Sequence, residues 1–206
     1  MSTAKMASLG TFHGIIGAFE EILGNGGAVR GKKFAIKGLG KTGMELVRLL
    51  YEQGAELVGA ELVRSRVVEA HKRFPRMQFV NPAVIHKQKV DVFAPCALGG
   101  DLNEKTIKEL NCEFVVGTAN NQLAAPEIGD RLHRLGIVYV PDYAVNGGGL
   151  INVVDELERG GYRSARVLRR VKNIRQTVRK ILRRSQRQKQ APSTVSDRLA
   201  EDMFRG

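Results

Sequence analysis

Cysteine is scarce in this chain. Cys96 and Cys112 are the two in 206 residues, and their spacing is not that of metal ligands. A reducing compartment suits such a sequence. Long apolar runs are missing too. None approaches the roughly 20 residues that a helix needs to cross a bilayer. Met1 to Gly10 lacks the apolar core of a signal peptide, so a cytoplasmic location is expected.

Acidic residues are absent from one long segment. Between Arg159 and Gln190 there are thirteen Lys or Arg and no Asp or Glu, whereas the rest of the chain carries 20 bases and 21 acids. The net charge of +12 is therefore local, and the body of the protein is electrically ordinary. Over 162–188, Val167, Leu168, Val171, Ile174, Val178, Ile181 and Leu182 recur at three and four, which predicts an amphipathic helix. The plain reading is a packed helix with a solvated basic face. The alternatives are electrostatic contact with nucleic acid, an anionic membrane surface or an acidic partner. No aromatic residue is interleaved among the cations, which argues against base stacking, so nucleic acid is not the favoured partner. Pro192 breaks the pattern, and Val195 to Phe204 suggests a last short helix.

What the chain does have is glycine placed with purpose. The run Phe34-Ala35-Ile36-Lys37 stops at Gly38-Leu39-Gly40-Lys41-Thr42-Gly43, and Met44, Leu46, Val47, Leu49 and Leu50 then recur at helical spacing. Strand, tight turn and helix with G-x-G-x-x-G between them form a dinucleotide fingerprint. Gly38 permits the turn, Gly40 lets a pyrophosphate approach the backbone, and Gly43 lets helix and strand pack closely. The N–H groups of the new helix then face the phosphates. A second strand, Glu56 to Glu61, ends on an acid 18 residues after Gly43. That is near the interval of about 20 residues expected for the carboxylate that holds the adenosine ribose. The spacing is not that of the nucleotide-triphosphate loop, which needs four residues between its glycines.

The rest alternates. A helix over 10–24 has Phe12, Ile15, Ile16, Phe19, Ile22 and Leu23 as its apolar face and Thr11 as candidate N-cap. His13 within it reads as an exposed or half-buried side chain. Helices follow at about 65–74, 103–110, 126–135 and 150–158, with short strands near 77–80, 91–94, 113–117 and 137–140 and a loop over 141–149. This predicts an α/β fold: a Rossmann-type, doubly wound, mainly parallel sheet with a C-terminal helical extension. Residues 10–160 read as the dinucleotide-binding domain, with 10–24 as its leading helix, and 161–206 as a basic extension packing on it. Ligands of such sheets lie beyond the C-terminal strand ends. There the sequence sets four small, amide-rich or glycine-rich loops: GLGKTG, APCALGG, TANNQ and DYAVNGGG.

The runs APCALGG, TANNQL and PDYAVNGGGLINVVDE, in that order, strongly resemble the leucine/phenylalanine/valine branch of the amino-acid dehydrogenases, related to the glutamate dehydrogenases. The similarity extends from near Gly10 to about Ala200. It implies NAD-dependent oxidative deamination of an L-amino acid to a 2-oxo acid. It also implies that Gly38, Leu39, Gly40, Lys41, Thr42 and Gly43 hold the pyrophosphate and Glu61 the adenosine ribose. Cys96, Ala97 and Leu98 would pass the nicotinamide end, with Ala119, Asn120 and Asn121 as a second cofactor loop. Asn146 would lie between nicotinamide and substrate, where an amide can donate to a carboxylate and accept from an amine. Glu61 would repel a 2′-phosphate, so NAD is favoured over NADP, although Arg64 and Arg66 follow closely.

Two departures accompany the resemblance. Ala7, with Ser8 beside it, stands where the family often has a threonine that can bond the carboxamide. The family also has a preceding domain that binds substrate and supplies catalytic lysines and an aspartate. The sequence shows no glycine-rich lysine motif and no Lys/Asp constellation in its place. No catalytic residue is therefore assigned, and a separate chain carrying that domain is an expected partner. The competing reading is a non-catalytic NAD-binding or sensing protein whose basic helix contacts nucleic acid or an acidic partner.

Overall fold

The computed structural model describes residues 1–205; Gly206, the end of the expected extension, lies outside them. Six strands form one all-parallel sheet: β1 (Lys33–Lys37), β2 (Glu56–Ala60), β3 (Gln78–Phe79), β4 (Val92–Pro95), β5 (Phe114–Val115) and β6 (Val138–Tyr139). Their order is β3-β2-β1-β4-β5-β6, with Phe34 opposite Leu57 on one side and Val92 on the other. This is the Rossmann order, and its switch point lies between β1 and β4.

Successive strand residues point to opposite faces. Phe34, Ile36, Val92, Ala94, Phe114 and Val116 join one buried cluster with Phe19, Leu46, Leu50, Val171 and Val178. Ala35, Phe93, Val115 and Tyr139 join the other with Ile128 and Leu132. The first face is covered by α1 (Thr3–Leu23), α2 (Lys41–Glu52) and α7 (Ser164–Gln188), the second by α4 (Glu127–Arg134) and one-turn helices at Ile85–Lys87 and Thr106–Lys108. α3 (Arg64–Arg73) follows β2, and α8 (Pro192–Arg205) ends the described chain. Phe19 anchors the first layer, its ring 5.2 Å from that of Phe114 and 6.2 Å from that of Phe34.

Several expectations need correction. The first helix starts at Thr3, not at 10, and its N-cap is Ser2, whose hydroxyl accepts from the Lys5 N–H. Thr11 is buried mid-helix and donates back to the Ala7 carbonyl at 3.2 Å. The buried side is also not the apolar stripe alone. Gly10, Gly14 and Gly17 lie on it, and an added Cβ at Gly17 would sit 2.5 Å from the Arg175 carbonyl oxygen.

The helix expected over 103–110 shrinks to Thr106–Lys108. Asn103 accepts from the Lys105 and Thr106 N–H groups, and the Thr106 hydroxyl donates to the Asp101 carbonyl at 2.6 Å. Such local bonds compete with helix. In contrast, part of the expected loop 141–149 is helical as α5 (Asp142–Val145). The helix expected over 150–158 is α6 (Gly148–Val154), followed by one tight turn at Asp155–Leu157. It starts early because Gly148 lets it press on α1, where a Cβ would be 2.0 Å from the Met6 carbonyl oxygen. Leu168, read as part of the apolar face of α7, is exposed.

Candidate dinucleotide site

The turn after β1 is built by its glycines. Gly38 has φ +98° and donates its N–H to the Ala60 carbonyl at 2.8 Å, which ties the turn to the end of β2. A Cβ at Gly43 would lie 2.0 Å from the Gly38 carbonyl oxygen, so only glycine allows α2 to rise so close to β1. Gly40 differs from both. Its φ is −71°, and a Cβ there would meet nothing within 4 Å. Nothing inside the protein demands glycine at 40. What the missing side chain leaves is space, beside a helix start with no capping side chain.

Glu61 closes the other wall of this turn. One carboxylate oxygen accepts from the Leu39 N–H at 2.8 Å, the other from Leu62 and Val63 at 2.8 and 3.0 Å, and Arg66 stands 3.4 Å away. Burial pushes this carboxyl upward, but the N–H groups of Val63, Leu39 and Leu62 and the Arg66 guanidinium outweigh it and hold the group below the usual carboxylate range. Glu61 is thus an anion fixed against the glycine turn. Four donors already engage the roughly four lone-pair sites of this carboxylate, so a ribose hydroxyl would bond it by displacing the longest of them, Arg66 at 3.4 Å.

A cavity of about 540 Å³ opens here, and Gly38, Gly40, Glu61, Cys96, Ala97 and Leu98 share its walls. The exposed side chains of Leu62 and Leu98 flank it, from the ends of β2 and β4. Cys96 itself is buried. Burial pushes its thiol up, against hydrogen bonds from Thr118. Lys41 is exposed at the helix start, and the Thr42 hydroxyl accepts from Thr118 at 3.0 Å.

The remaining predicted residues lie past β5 and β6. Ala119 is buried, while Asn120 and Asn121 are exposed, with Asn121 at φ +52°. Asn146, at the end of α5, donates its side-chain amide to the Asn120 side-chain oxygen Oδ1 at 2.6 Å. The Cys96 loop and this loop touch, since Gly100 donates to the Asn121 carbonyl at 2.8 Å. In strand order β2, β1, β4, β5, β6, the predicted residues therefore form one row from Glu61 to Asn146 along the C-terminal sheet edge. Asn120, Asn121 and Asn146 do not line the Glu61 cavity; they are brought together with each other farther along the row.

Three supporting features were not read from the sequence. Gln122 is fully buried and donates to the Gly117 and Ala119 carbonyls at 3.0 Å each, while its own N–H goes to Asp142 at 2.9 Å. It fixes the shape of the asparagine loop. Lys37 and Asp101 form a pair at 2.5 Å inside the Glu61 cavity, joining residues 64 apart that no local pattern links. Ser8, read only as a neighbour of Ala7, is fully buried, with its hydroxyl bonded to the Ala4 and Thr42 carbonyls at 2.9 and 2.8 Å. It therefore holds α1 to α2 and has no donor left for a ligand. His13, on α1, is half-buried with Nδ1 unpartnered; burial and the charges of Lys172 and Arg175 push its pKa down.

A sequence profile of the Glutamate/Leucine/Phenylalanine/Valine dehydrogenase family matches residues 60–201. The chain belongs to this family. It is 38% identical over 199 residues to a leucine dehydrogenase of Bacillus subtilis, covering 97% of this chain and 54% of that protein. A phenylalanine dehydrogenase of Thermoactinomyces intermedius is 37% identical over 204 residues, with coverage of 98% and 55%. The crystal structure of an L-tryptophan dehydrogenase from Nostoc punctiforme superposes with a TM-score of 0.92 at 38% identity, over 97% of this chain and 59% of that one. The chain spans about half the length of the curated relatives it matches. Those relatives are amino-acid dehydrogenases, oxidoreductases that act on a CH–NH2 group. No metal-holding cluster and no helix long and apolar enough to cross a membrane occur among the described residues of this family member.

Proposed function

We propose that this chain binds NAD along the C-terminal edge of its sheet and is the cofactor-binding part of an enzyme that oxidatively deaminates an L-amino acid of the leucine, valine or phenylalanine type. The observation that carries the reading is Gly40: a glycine with ordinary φ, open space where a Cβ would be, and a fixed carboxylate, Glu61, across the same turn. A pyrophosphate against the 38–43 turn and ribose hydroxyls on Glu61 fit that cradle. Leu62 would flank the adenosine, while Cys96, Ala97, Leu98, Ala119, Asn120 and Asn121 would line the path to the nicotinamide.

Bound NAD supplies the hydride acceptor. Asn146, held by Asn120, would orient the amino acid against it, since its amide can both donate and accept. The reaction also needs a neutral amine and an activated water, tasks suited to a desolvated lysine. The lysine in the cavity, Lys37, is bonded to Asp101 at the end of β1, three strands from β6 and the asparagine pair. We therefore assign proton transfer to a substrate domain, on a separate chain or elsewhere in a longer protein. Residues 10–160 would be the binding unit and 161–206 its helical extension.

Calorimetric titration with NAD and NADP, followed by NAD reduction with leucine, valine, phenylalanine and glutamate, tests this. NAD should bind more tightly than NADP, and turnover should require the lysine-bearing domain. Failure of both nucleotides to bind would overturn the reading.

A further inference from the structure

α7 divides its cations between two sides. On one flank Arg175, Arg179 and Arg183 reach Glu20 and Glu21 of α1, with Arg183 at 2.8 Å from Glu21. Near the N-terminus Arg166 and Arg170 converge on the buried Asp155 at 2.5 and 3.6 Å. The segment is free of acids in sequence, yet in space these five arginines have acids borrowed from elsewhere. That part of the charge is packing.

The opposite side has no such account. Arg169, Lys172, Lys180 and Arg187 are exposed and form no hydrogen bond or salt bridge among the described residues. At 3.6 residues per turn they fall with Asn173 and Gln176 on the side away from Val167, Val171, Ile174, Val178 and Leu182. Arg184 beside them reaches Asp202 only at 3.9 Å. Shallow grooves of about 530 and 540 Å³ run along this face, and every residue lining them is a cation or an amide. From Arg169 to Arg187 the row is roughly 27 Å long at about 1.5 Å per residue. No acid interrupts it.

We propose that the outer face of α7 binds the phosphate backbone of double-stranded nucleic acid without regard to base sequence. A row of exposed, unpaired cations along one helix suits a rod with one phosphate about every 3.4 Å along each strand. A membrane surface would call for large apolar side chains among the cations, and the row has none. A single strand would call for aromatic platforms, and these are absent as well. The inference depends on the charge pattern of α7 and not on the dinucleotide site.

The test is fluorescence anisotropy of a labelled mixed-sequence duplex of about 24 base pairs with the full chain, from 50 to 200 mM salt. Four unpaired cations give a log–log salt slope near −3.6, a loss of about 100-fold over that range. K180Q/R187Q should bring the slope to about −2. It should weaken binding at least tenfold at 100 mM salt, with circular dichroism and thermal midpoint unchanged, because neither side chain has a partner to lose. No binding at 50 mM salt would overturn the proposal. So would a slope that K180Q/R187Q leaves intact. Tighter binding to poly-L-glutamate or to phosphatidylserine vesicles than to the duplex would also overturn it, and would reassign the face to an acidic protein or a membrane.

Discussion

Gly10, Gly14 and Gly17 of α1 and Gly40 of the 38–43 turn look alike in sequence and perform opposite tasks. Gly10, Gly14 and Gly17 are filled in: an added Cβ would meet the Val145 carbonyl at 2.6 Å, the Val145 side chain at 2.5 Å and the Arg175 carbonyl at 2.5 Å. They let α5 and α7 settle directly on the α1 backbone. Gly40 is the reverse, a glycine facing emptiness. One series removes side chains so that protein can approach, the other so that something else can. Gly43 belongs to both, since its missing side chain lets α2 start close enough to β1 for its N–H groups to face the cradle.

Gly43 is where the two tasks meet. Gly43→Ala forces a Cβ against the Gly38 carbonyl, and overpacking of this kind costs about 1–3 kcal/mol. Both readouts should fall together: the thermal midpoint, and NAD affinity by about 100-fold or more. Next come the separating variants. Gly17→Ala should lower the thermal midpoint by about 4–8 °C, from about 2 kcal/mol of overpacking in a chain of this size, with NAD affinity of the folded protein unchanged. Gly40→Ala should do the opposite, changing the midpoint less than Gly17→Ala does and weakening NAD about tenfold or more. Calorimetry beside thermal unfolding reads both. If Gly40→Ala unfolds the chain, or leaves NAD binding intact, the contrast is wrong.

Glu61 sharpens the same contrast by charge rather than volume. Glu61→Gln keeps size while removing the anion proposed to hold the ribose. NAD should weaken by about tenfold, the worth of a lost hydrogen bond to a charged group. NADP should be affected less, so the ratio between the two nucleotides narrows. Titration of the variant with both cofactors decides this.

These contrasts also explain what could be read in advance. The fingerprint, the acid at 61 and the alternation of strands and helices are local patterns, so the strand sequence and the loops at the C-terminal sheet edge were legible. The three loop motifs were legible because amides and glycines cluster at strand ends. What escaped was long-range or small. The start of α1 at Thr3 is hidden because Ser8, Gly10 and Thr11 look like loop residues until α2, α5 and α6 are seen packed over them. The pairing of Lys37 with Asp101 joins the end of β1 to the distant loop after β4. The acid-free segment looked unpaired because its acids, Glu20 and Glu21, are supplied from more than 150 residues away.

The ion pairs between α1 and α7 add less. Glu20 and Glu21 are held below the usual carboxylate range, first by hydrogen bonds from Arg175 and Arg183 respectively, and burial opposes both. A carboxylate depressed in the folded state contributes stability that is present above its ordinary value near 4.5 and is lost as pH falls through the folded value. The α1–α7 contact should therefore hold at neutral pH and loosen progressively below about pH 4.5. The arginine partners are a third to a half exposed, so water and salt screen the pairs and the loss is modest. Glu109, at about 2 through His86 and Lys87, adds a parallel loss at lower pH on the other face of the sheet. Thermal midpoints measured from pH 6 to 3 should decline in the wild type. In E20Q/E21Q the starting midpoint should be lower and the decline between pH 4.5 and 3 flatter, because two of the titrating groups are gone. Equal slopes would mean that the glycine-allowed backbone contact, and not the charge pairs beside it, sets how α7 holds to α1.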